Sequence, residues 1–218
     1  MVKPSVDFVI WDWNGTLLND PQICYAIVNE MLRSRQLPLL ADLEEYRRYF
    51  TFPVIDFYRR AGFHFTSENF GELADEFACA FGSRVSACPL RNHAKETIAA
   101  IHQCGIRQIL LSATREDRLL KQIKQHDLHN SFDQILGLKD GFAHGKSAQA
   151  ASFAARAQVI PDRVVMIGDT DHDWQIATEL GCQCILLDCG HQTPEHLRSL
   201  AVPLVSTLPD VLSILGIS

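Results

Sequence analysis

Long apolar runs are missing from this chain. Its apolar stretches, such as Val164–Ile167 and Cys184–Leu187, are four residues long, against the roughly 20 that a membrane-spanning helix needs. No membrane partner is expected. A surplus of positive charge is missing too: 20 Lys and Arg stand against 26 Asp and Glu, a formal net charge of −6. Nucleic-acid-binding domains carry a basic face, so no nucleic-acid partner is expected. A small anionic ligand stays open, because a few local cations outweigh a weak overall field. No signal peptide is expected: Asp7 and Asp12 bracket the apolar run Phe8–Trp11, and no small-residue cleavage site follows. Seven scattered cysteines form no paired framework. They suit reduced thiols, and the expected compartment is the cytoplasm. Cys182, Cys184 and Cys189 lie in an apolar run and read as buried thiols rather than a metal site. Internal repeats and low-complexity tracts are absent as well.

What remains is an ordinary globular composition, 47% hydrophobic and 21% charged over 218 residues. At roughly 100–200 residues per domain, this length suits one domain with a smaller insertion. Val6–Trp11 is a short apolar run opening into Asp12-Trp13-Asn14-Gly15-Thr16, the pattern of a buried parallel strand and its loop. Helical spacing follows over 21–36, 41–49, 54–61 and 68–82, with Pro21 in a first turn and Ser67 as a cap. No convincing strand falls between about 19 and 88. Beyond Pro89 the pattern alternates. Helices over 91–104, 115–126, 147–157, 172–180 and 208–215 separate strands at Arg107–Leu111, Phe132–Leu136, Val164–Ile167, Cys184–Leu187 and Pro203–Val205. Alternation of this kind predicts an α/β fold, a doubly wound parallel sheet with helices on both faces. The expected organisation is a core of 1–18 and 86–218 with an all-helical insertion over 19–85.

Sites in such sheets lie at the carboxyl ends of the strands. Asp12, Asn14 and Thr16 follow the first strand, and Ser112 and Thr114 the second. Lys146 lies beyond the third, and Asp169, Asp171 and Asp173 follow the fourth. Clustered carboxylates repel unless a hard cation sits among them, and oxygen donors with room for water suit Mg²⁺. Hydroxyls and an ammonium suit a phosphate. A carboxylate can attack phosphorus and divide one hard step into two.

These motifs, in this order, resemble the haloacid dehalogenase superfamily, of the phosphoglycolate-phosphatase-like type. The first reads Phe8-Val9-Ile10-Trp11-Asp12-Trp13-Asn14-Gly15-Thr16-Leu17, and the second Ile109-Leu110-Leu111-Ser112. The third is Lys146, and the fourth runs from Gly168-Asp169 to Asp173. The helical insertion resembles the family's type 1 cap. The resemblance implies a Mg²⁺-dependent phosphatase acting on a small phosphorylated metabolite. Asp12 is then the nucleophile and a metal ligand. Asn14 lends its backbone carbonyl, Asp169 is the other direct ligand, and Asp173 supports the metal. Thr16, Ser112 and Lys146 hold phosphoryl oxygens.

Two features depart from or compete with that pattern. Asn14 stands where the family has a second aspartate, the general acid and base. Asparagine cannot trade protons at neutral pH. A slow phosphatase, a leaving group that needs no proton, or a substitute acid such as His172 or His191 would each accommodate it. An inactive binding or regulatory protein is the rival reading. Lys139 competes with Lys146, which lies 23 positions before Asp169, as the family spacing requires. Phosphonoacetaldehyde hydrolases also lack the second aspartate but use a lysine of the cap, and 19–88 contains none. Asp169-x-Asp171-x-Asp173 fails as an EF-hand, since Trp174 and Leu180 occupy its Gly and Glu positions. Thr114 and Arg115 are possible substrate contacts. His191 reads chiefly as part of a surface turn. Arg33, Arg35, Arg47, Arg48, Arg59, Arg60 and Arg84 read mostly as solvated partners of nearby acids. Phe50, Phe52, Phe57, Tyr58, Phe63 and Phe65 read as core of the insertion.

Overall fold

The structure, a computed structural model, describes residues 6–64, 70–138 and 145–217. Within them run six strands: β1 (Phe8–Trp11), β2 (Arg107–Arg115), β3 (Gln134–Leu138), β4 (Val164–Gly168), β5 (Gln183–Leu187) and β6 (Leu204–Val205). The helices are α1 (Pro21–Ser34), α2 (Leu43–Tyr49), α3 (Val54–Arg60), α4 (Phe70–Arg84), α5 (Ala94–Gln103), α6 (Glu116–Gln125), α7 (Gly145–Ala157), α8 (Asp171–Leu180), α9 (Pro194–Arg198) and α10 (Leu208–Leu215). All six strands pair in parallel, in the order β3-β2-β1-β4-β5-β6.

β1 is central. Phe8 pairs with Arg107 and Val164, and Trp11 with Leu110 and Ile167. A strand covered on both faces must be apolar throughout, and all four β1 residues are buried. Alternation then assigns the faces. Val9 and Trp11 pack with Ile98 and Ile101 of α5, Leu119 and Ile123 of α6 and Val211 of α10. Phe8 and Ile10 pack with Phe153 of α7 and Ile176 of α8. The sheet is therefore doubly wound, as the alternation implies. Strand order reverses between β1 and β4, and the crevice beyond their carboxyl ends is the natural binding place of this architecture.

Helices α1–α4 share a third apolar cluster. Ile27, Val28, Met31 and Leu32 of α1 meet Tyr46, Phe57, Tyr58, Phe63 and Leu73 there. The chain leaves for these helices and returns from them side by side. Leu18 bridges to Leu90, Asn19 N–H donates to Pro89 O (3.0 Å), and Arg91 N–H donates to Leu17 O (2.8 Å).

Several boundaries differ from expectation. β2 continues to Arg115, with a register shift between Leu111 and Arg115, so Ser112 and Thr114 sit inside its irregular end. β3 begins at Gln134, because the Asp133 carboxylate is engaged in accepting from the Gln108 N–H (2.8 Å). Gly137 lies within β3. An added Cβ there would meet the backbone of Glu116 at 2.5 Å, so close approach, not a turn, requires the glycine. α5 starts at Ala94, because His93 is left-handed (φ 64°). Helix α9 was unanticipated. Thr193 caps it by accepting from His196 N–H (3.3 Å), with Pro194 in the first turn. The Ser67 cap, Phe65 and Lys139 lie outside the described residues.

Candidate active site

Asp12 leaves the end of β1 with its N–H donated to Ile167 O (2.8 Å). The chain then folds over one carbonyl. The N–H groups of Thr16, Leu17 and Leu18 all reach Trp13 O, at 3.3, 3.0 and 2.9 Å. Trp13 is anchored in the core by its Nε1–H, which donates to Gln122 Oε1 (2.7 Å). Gly15 makes this turn possible. Its φ is +77°, and a side chain there would run into the Asp169 carboxylate and the His191 ring.

Asp169, at the end of β4, is fully buried. Its Oδ1 accepts from Thr16 Oγ1 (2.7 Å) and its Oδ2 from His191 N–H (2.7 Å). Asp173 is held twice. Its Oδ2 accepts from Thr170 Oγ1 (2.8 Å), Thr170 N–H (3.1 Å) and Asp169 N–H (3.2 Å), closing a capping box at the start of α8. Its Oδ1 accepts from Lys146 Nζ (2.6 Å). The same ammonium donates to Asp12 Oδ1 (2.5 Å), while Asp12 Oδ2 accepts from no group among the described residues. Asp12, Asn14, Thr16, Ser112, Lys146, Asp169 and Asp173 thus converge from four chain segments. Ser112 joins through Asn14. Thr114 Oγ1 donates to Asn14 Oδ1 (2.8 Å), Ser112 Oγ stands 3.5 Å from the same oxygen, and Thr114 N–H donates to Ser112 Oγ (3.0 Å).

The electrostatics are unbalanced. Burial pushes the Asp12 carboxyl well above its ordinary range. Lys146 opposes that shift, while Asp173 and Asp169 add to it. Asp169 is also raised, mainly by burial. Asp173 is buried as well, yet Lys146 and the Thr170 hydrogen bond bring it below the ordinary range. Burial opposes the charge of Lys146, but Asp12 and Asp173 outweigh it and hold the ammonium protonated. Three carboxylates therefore stand together, one oxygen of each within 4.8 Å of the others, with one ammonium bonded to two of them. A hard divalent cation fits this donor set, in charge and in its oxygen chemistry. Asp12, Asp169 and Asp173 are the residues that could hold it. Both oxygens of Asp169 and of Asp173 already accept hydrogen bonds, whereas Asp12 keeps one oxygen unclaimed among the described residues.

Two groups escaped the sequence reading. Asp20, 1% exposed, accepts from Gly15 N–H (2.7 Å), Asn14 Nδ2 (2.8 Å) and the Cys24 thiol (3.6 Å). An acid just before Pro21 was the available signal. Arg91 clasps the turn from the other side, donating Nε–H to Thr16 O (3.1 Å) and another N–H to Gly15 O. No periodicity marks it.

His191 corrects an expectation: it is 5% exposed, not part of a surface turn. Its Nε2 lies 3.3 Å from Asp20 Oδ1, and its Nδ1 lies 2.9 Å from Tyr46 Oη. Burial disfavours its charge, but Asp20 first and then Asp169 and Asp12 raise its pKa. Both ring nitrogens are engaged, so the ring is poorly placed to serve as a substitute acid. The loop around it receives the helical insertion. Arg47 donates to Gly190 O (2.8 Å) and Cys189 O (2.9 Å), and Phe50 stacks on the His191 ring with centroids 4.9 Å apart. Phe52 packs on His172 at a tilt, with centroids 4.6 Å apart. Among the aromatics read as core of the insertion, Phe57, Tyr58 and Phe63 are so placed and Phe50 packs against the same cluster while also stacking on His191, whereas Phe52 packs on Phe50 and His172. Arg35 and Arg84 pair with Glu76 and Glu30, each at 2.6 Å.

A sequence model of haloacid dehalogenase-like hydrolases matches residues 9–187. The chain is 28% identical over 130 residues to a phosphoglycolate phosphatase of Vibrio vulnificus, covering 59% of this chain and 56% of that protein. It is 26% identical over 150 residues to a phosphoglycolate phosphatase of Vibrio parahaemolyticus, covering 67% and 64%. The match thus spans less than two thirds of either relative. Among solved structures, a haloacid dehalogenase-like hydrolase of Streptococcus pneumoniae superposes with a TM-score of 0.81 at 16% identity, over 96% of this chain and 98% of that one. At such identity the likeness is one of fold.

Proposed function

Since the chain belongs to the haloacid dehalogenase-like hydrolase family, we propose that it is a Mg²⁺-dependent phosphatase of small phosphate monoesters, working through an aspartyl-phosphate on Asp12. A phosphoglycolate-like acid is a candidate substrate, by analogy with the relatives' names. The observation that carries the reading is the placement of Asp12. Its Oδ1 is held by Lys146, its Oδ2 is unclaimed among the described residues, and Asp169 and Asp173 stand beside it.

In this mechanism Asp12 Oδ2 attacks phosphorus and the bond from phosphorus to the ester oxygen breaks. Lys146, protonated throughout, holds Asp12 in line and faces the phosphoryl oxygens. Ser112 completes the oxygen cradle, while Thr16, expected there as well, gives its one O–H to Asp169 and fixes that carboxylate instead. A bound Mg²⁺ supplies charge neutralisation of the phosphoryl group. Water then attacks the phosphorus of the aspartyl-phosphate, releasing inorganic phosphate and restoring Asp12. Asn14 neither protonates the departing oxygen nor takes a proton from this water. The loss of a general acid and base lowers rates by about 10²–10⁴-fold, so the expected enzyme is modest and favours leaving groups of low basicity.

Residues 19–85 act in this reading as a cap on a core of 1–18 and 86–218. In support, Asp12 and Lys146 are 6% and 4% exposed beneath it, and the two linkers are paired at Leu18 and Leu90. Tyr46, Arg47 and Phe50 hold the cap on loop 189–192, and substrate enters when that contact opens. No helix among the described residues is long and apolar enough to cross a membrane. The seven cysteines are free thiols, in keeping with a cytoplasmic protein.

The test is phosphate release from an aryl phosphate, with Mg²⁺ or with chelator, by the natural chain and by Asp12→Asn. Metal-dependent release abolished by the substitution is expected. Absence of release from aryl phosphate and from a panel of phosphorylated metabolites would favour the rival reading, a binding or regulatory protein, for which the pinned Asn14 side chain argues.

A further inference from the structure

Asp20 occupies the N-cap of α1, the first helix of the cap. An aspartate at this position ordinarily turns its carboxylate onto the helix's own free N–H groups. Here it makes no such bond. The carboxylate points back instead, to Gly15 N–H (2.7 Å) and Asn14 Nδ2 (2.8 Å), while the Asp20 carbonyl accepts from the N–H groups of Ile23 and Cys24 (both 3.0 Å). One buried residue thus ties the first turn of the cap to the turn that follows Asp12.

The bonding pattern on Asn14 is directional. Its Oδ1 accepts from Thr114 and its Nδ2 donates to Asp20. An aspartate at 14 would replace that donor by an oxygen and set two carboxylates against each other across 2.8 Å, with no hydrogen between them. Exchanging the two side chains has a different result. Asp at 14 still accepts from Thr114, Asn at 20 donates to Asp at 14, and the amide oxygen at 20 still accepts from Gly15 N–H. The bonds that join 14, 15, 20 and 114 survive and the net charge is unchanged, while the Cys24 thiol loses its acceptor and His191 its anionic partner at 20.

We propose that Asp20 is the positioning residue of the Asp12–Thr16 turn: the carboxylate that shapes this turn is carried at 20, and it requires an amide at 14. The kinetic part of this proposal rests on the phosphatase reading; the structural part does not. It also reverses the simple expectation that Asn14→Asp would restore a missing acid and raise the rate.

The experiment compares the natural chain with Asn14→Asp, Asp20→Ala and the exchange Asn14→Asp/Asp20→Asn. Melting temperature, kcat and KM are measured with p-nitrophenyl phosphate and Mg²⁺. Misplacement by about 1 Å suffices for losses approaching 10²-fold. Asn14→Asp and Asp20→Ala are each expected to lower kcat about ten-fold or more, with KM within about two-fold. The exchange is expected to recover kcat at least to the natural level and to recover the melting temperature lost in Asn14→Asp. Four results would overturn the proposal: Asn14→Asp at least as fast as the natural chain, Asp20→Ala destabilised but equally fast, Asp20→Ala slowed only through KM, or an exchange no better than Asn14→Asp. Should the natural chain release no phosphate, the phosphatase reading falls with that substrate. The melting temperatures still decide the pairing: recovery in the exchange supports it, and additive losses refute it.

Discussion

Two buried acidic clusters lie next to each other in this protein and differ in how their charge is met. In one, Asp12 and Asp173 share a single ammonium, that of Lys146, and Asp169 stands beside them without a bond to it. In the other, Asp20 alone faces His191, the Asn14 amide and Gly15 N–H. Burial raises the carboxyls of Asp12 and Asp169. Burial acts on Asp20 in the same sense, yet His191 and the donors at Asn14 and Gly15 bring it below its ordinary range. Nearly equal burial thus gives opposite outcomes. A carboxylate whose donors are complete is a structural part. Carboxylates left short of positive charge are poised to take more of it, and that deficit distinguishes a reaction centre from a strut.

The sharpest way to break this distinction is to neutralise one member of each cluster. Asp12→Asn is expected to drop turnover of an aryl phosphate to the uncatalysed rate, a loss on the order of 10⁴–10⁶-fold. The metal-free variant should nevertheless melt no lower than the natural chain, because a buried repulsion is removed. Asp20→Asn should instead lower the melting temperature. Lys146→Met comes next. It leaves Asp12 and Asp173 buried without their cation, and removing one partner of such a group destabilises by about 3–5 kcal/mol, read from the midpoint of urea denaturation. Leaving groups provide a third comparison. Without an acid at 14, alkyl phosphates should turn over about 10²–10⁴-fold more slowly than aryl phosphates, measured as kcat/KM.

Asp12 and Asp169 should also respond to pH in the sense opposite to Asp20. The raised carboxyls of Asp12 and Asp169 stabilise the metal-free fold below their ordinary value of 3.8, and that contribution is lost as the pH rises through their raised folded values. The lowered carboxyl of Asp20 contributes stability above 3.8 that is lost as the pH falls through its folded value. Added Mg²⁺ should therefore raise the melting temperature more at neutral pH than in acid, and Asp12→Asn should abolish most of that increment. The smallest effect is expected at the cap contact. Arg47→Ala should shift the melting temperature by about 2–4 °C and change KM more than kcat.

The candidate site was legible in the sequence because its members sit at strand ends, and strand ends are marked by the switch from apolar run to glycine or acid. Asp12 and Asp169 are of this kind, and so is Gly15, whose conformation no other residue adopts freely. Asp20, Arg91 and His191 were not legible in this way. Each works through contacts between segments far apart in the chain, and neither periodicity nor composition records such a contact. His191 resembles a turn because Gly190 precedes it, yet that glycine is needed for close approach to Asp169. The boundary of β2 was missed for a related reason. Ser112 and Thr114 look like the start of a loop, whereas the strand tolerates them across a register shift.

The three tryptophans are Trp11, Trp13 and Trp174. Two flank Asp12 and one follows Asp173, and the indole N–H groups of Trp11 and Trp13 are fixed on glutamine oxygens, Gln108 and Gln122. The indoles of Trp11 and Trp13 are thus buried in the core on the residues that adjoin Asp12 in the chain, while Trp174 packs in the cluster of the opposite face. Intrinsic fluorescence, with no label attached, should therefore report loosening of the core on either face of the sheet.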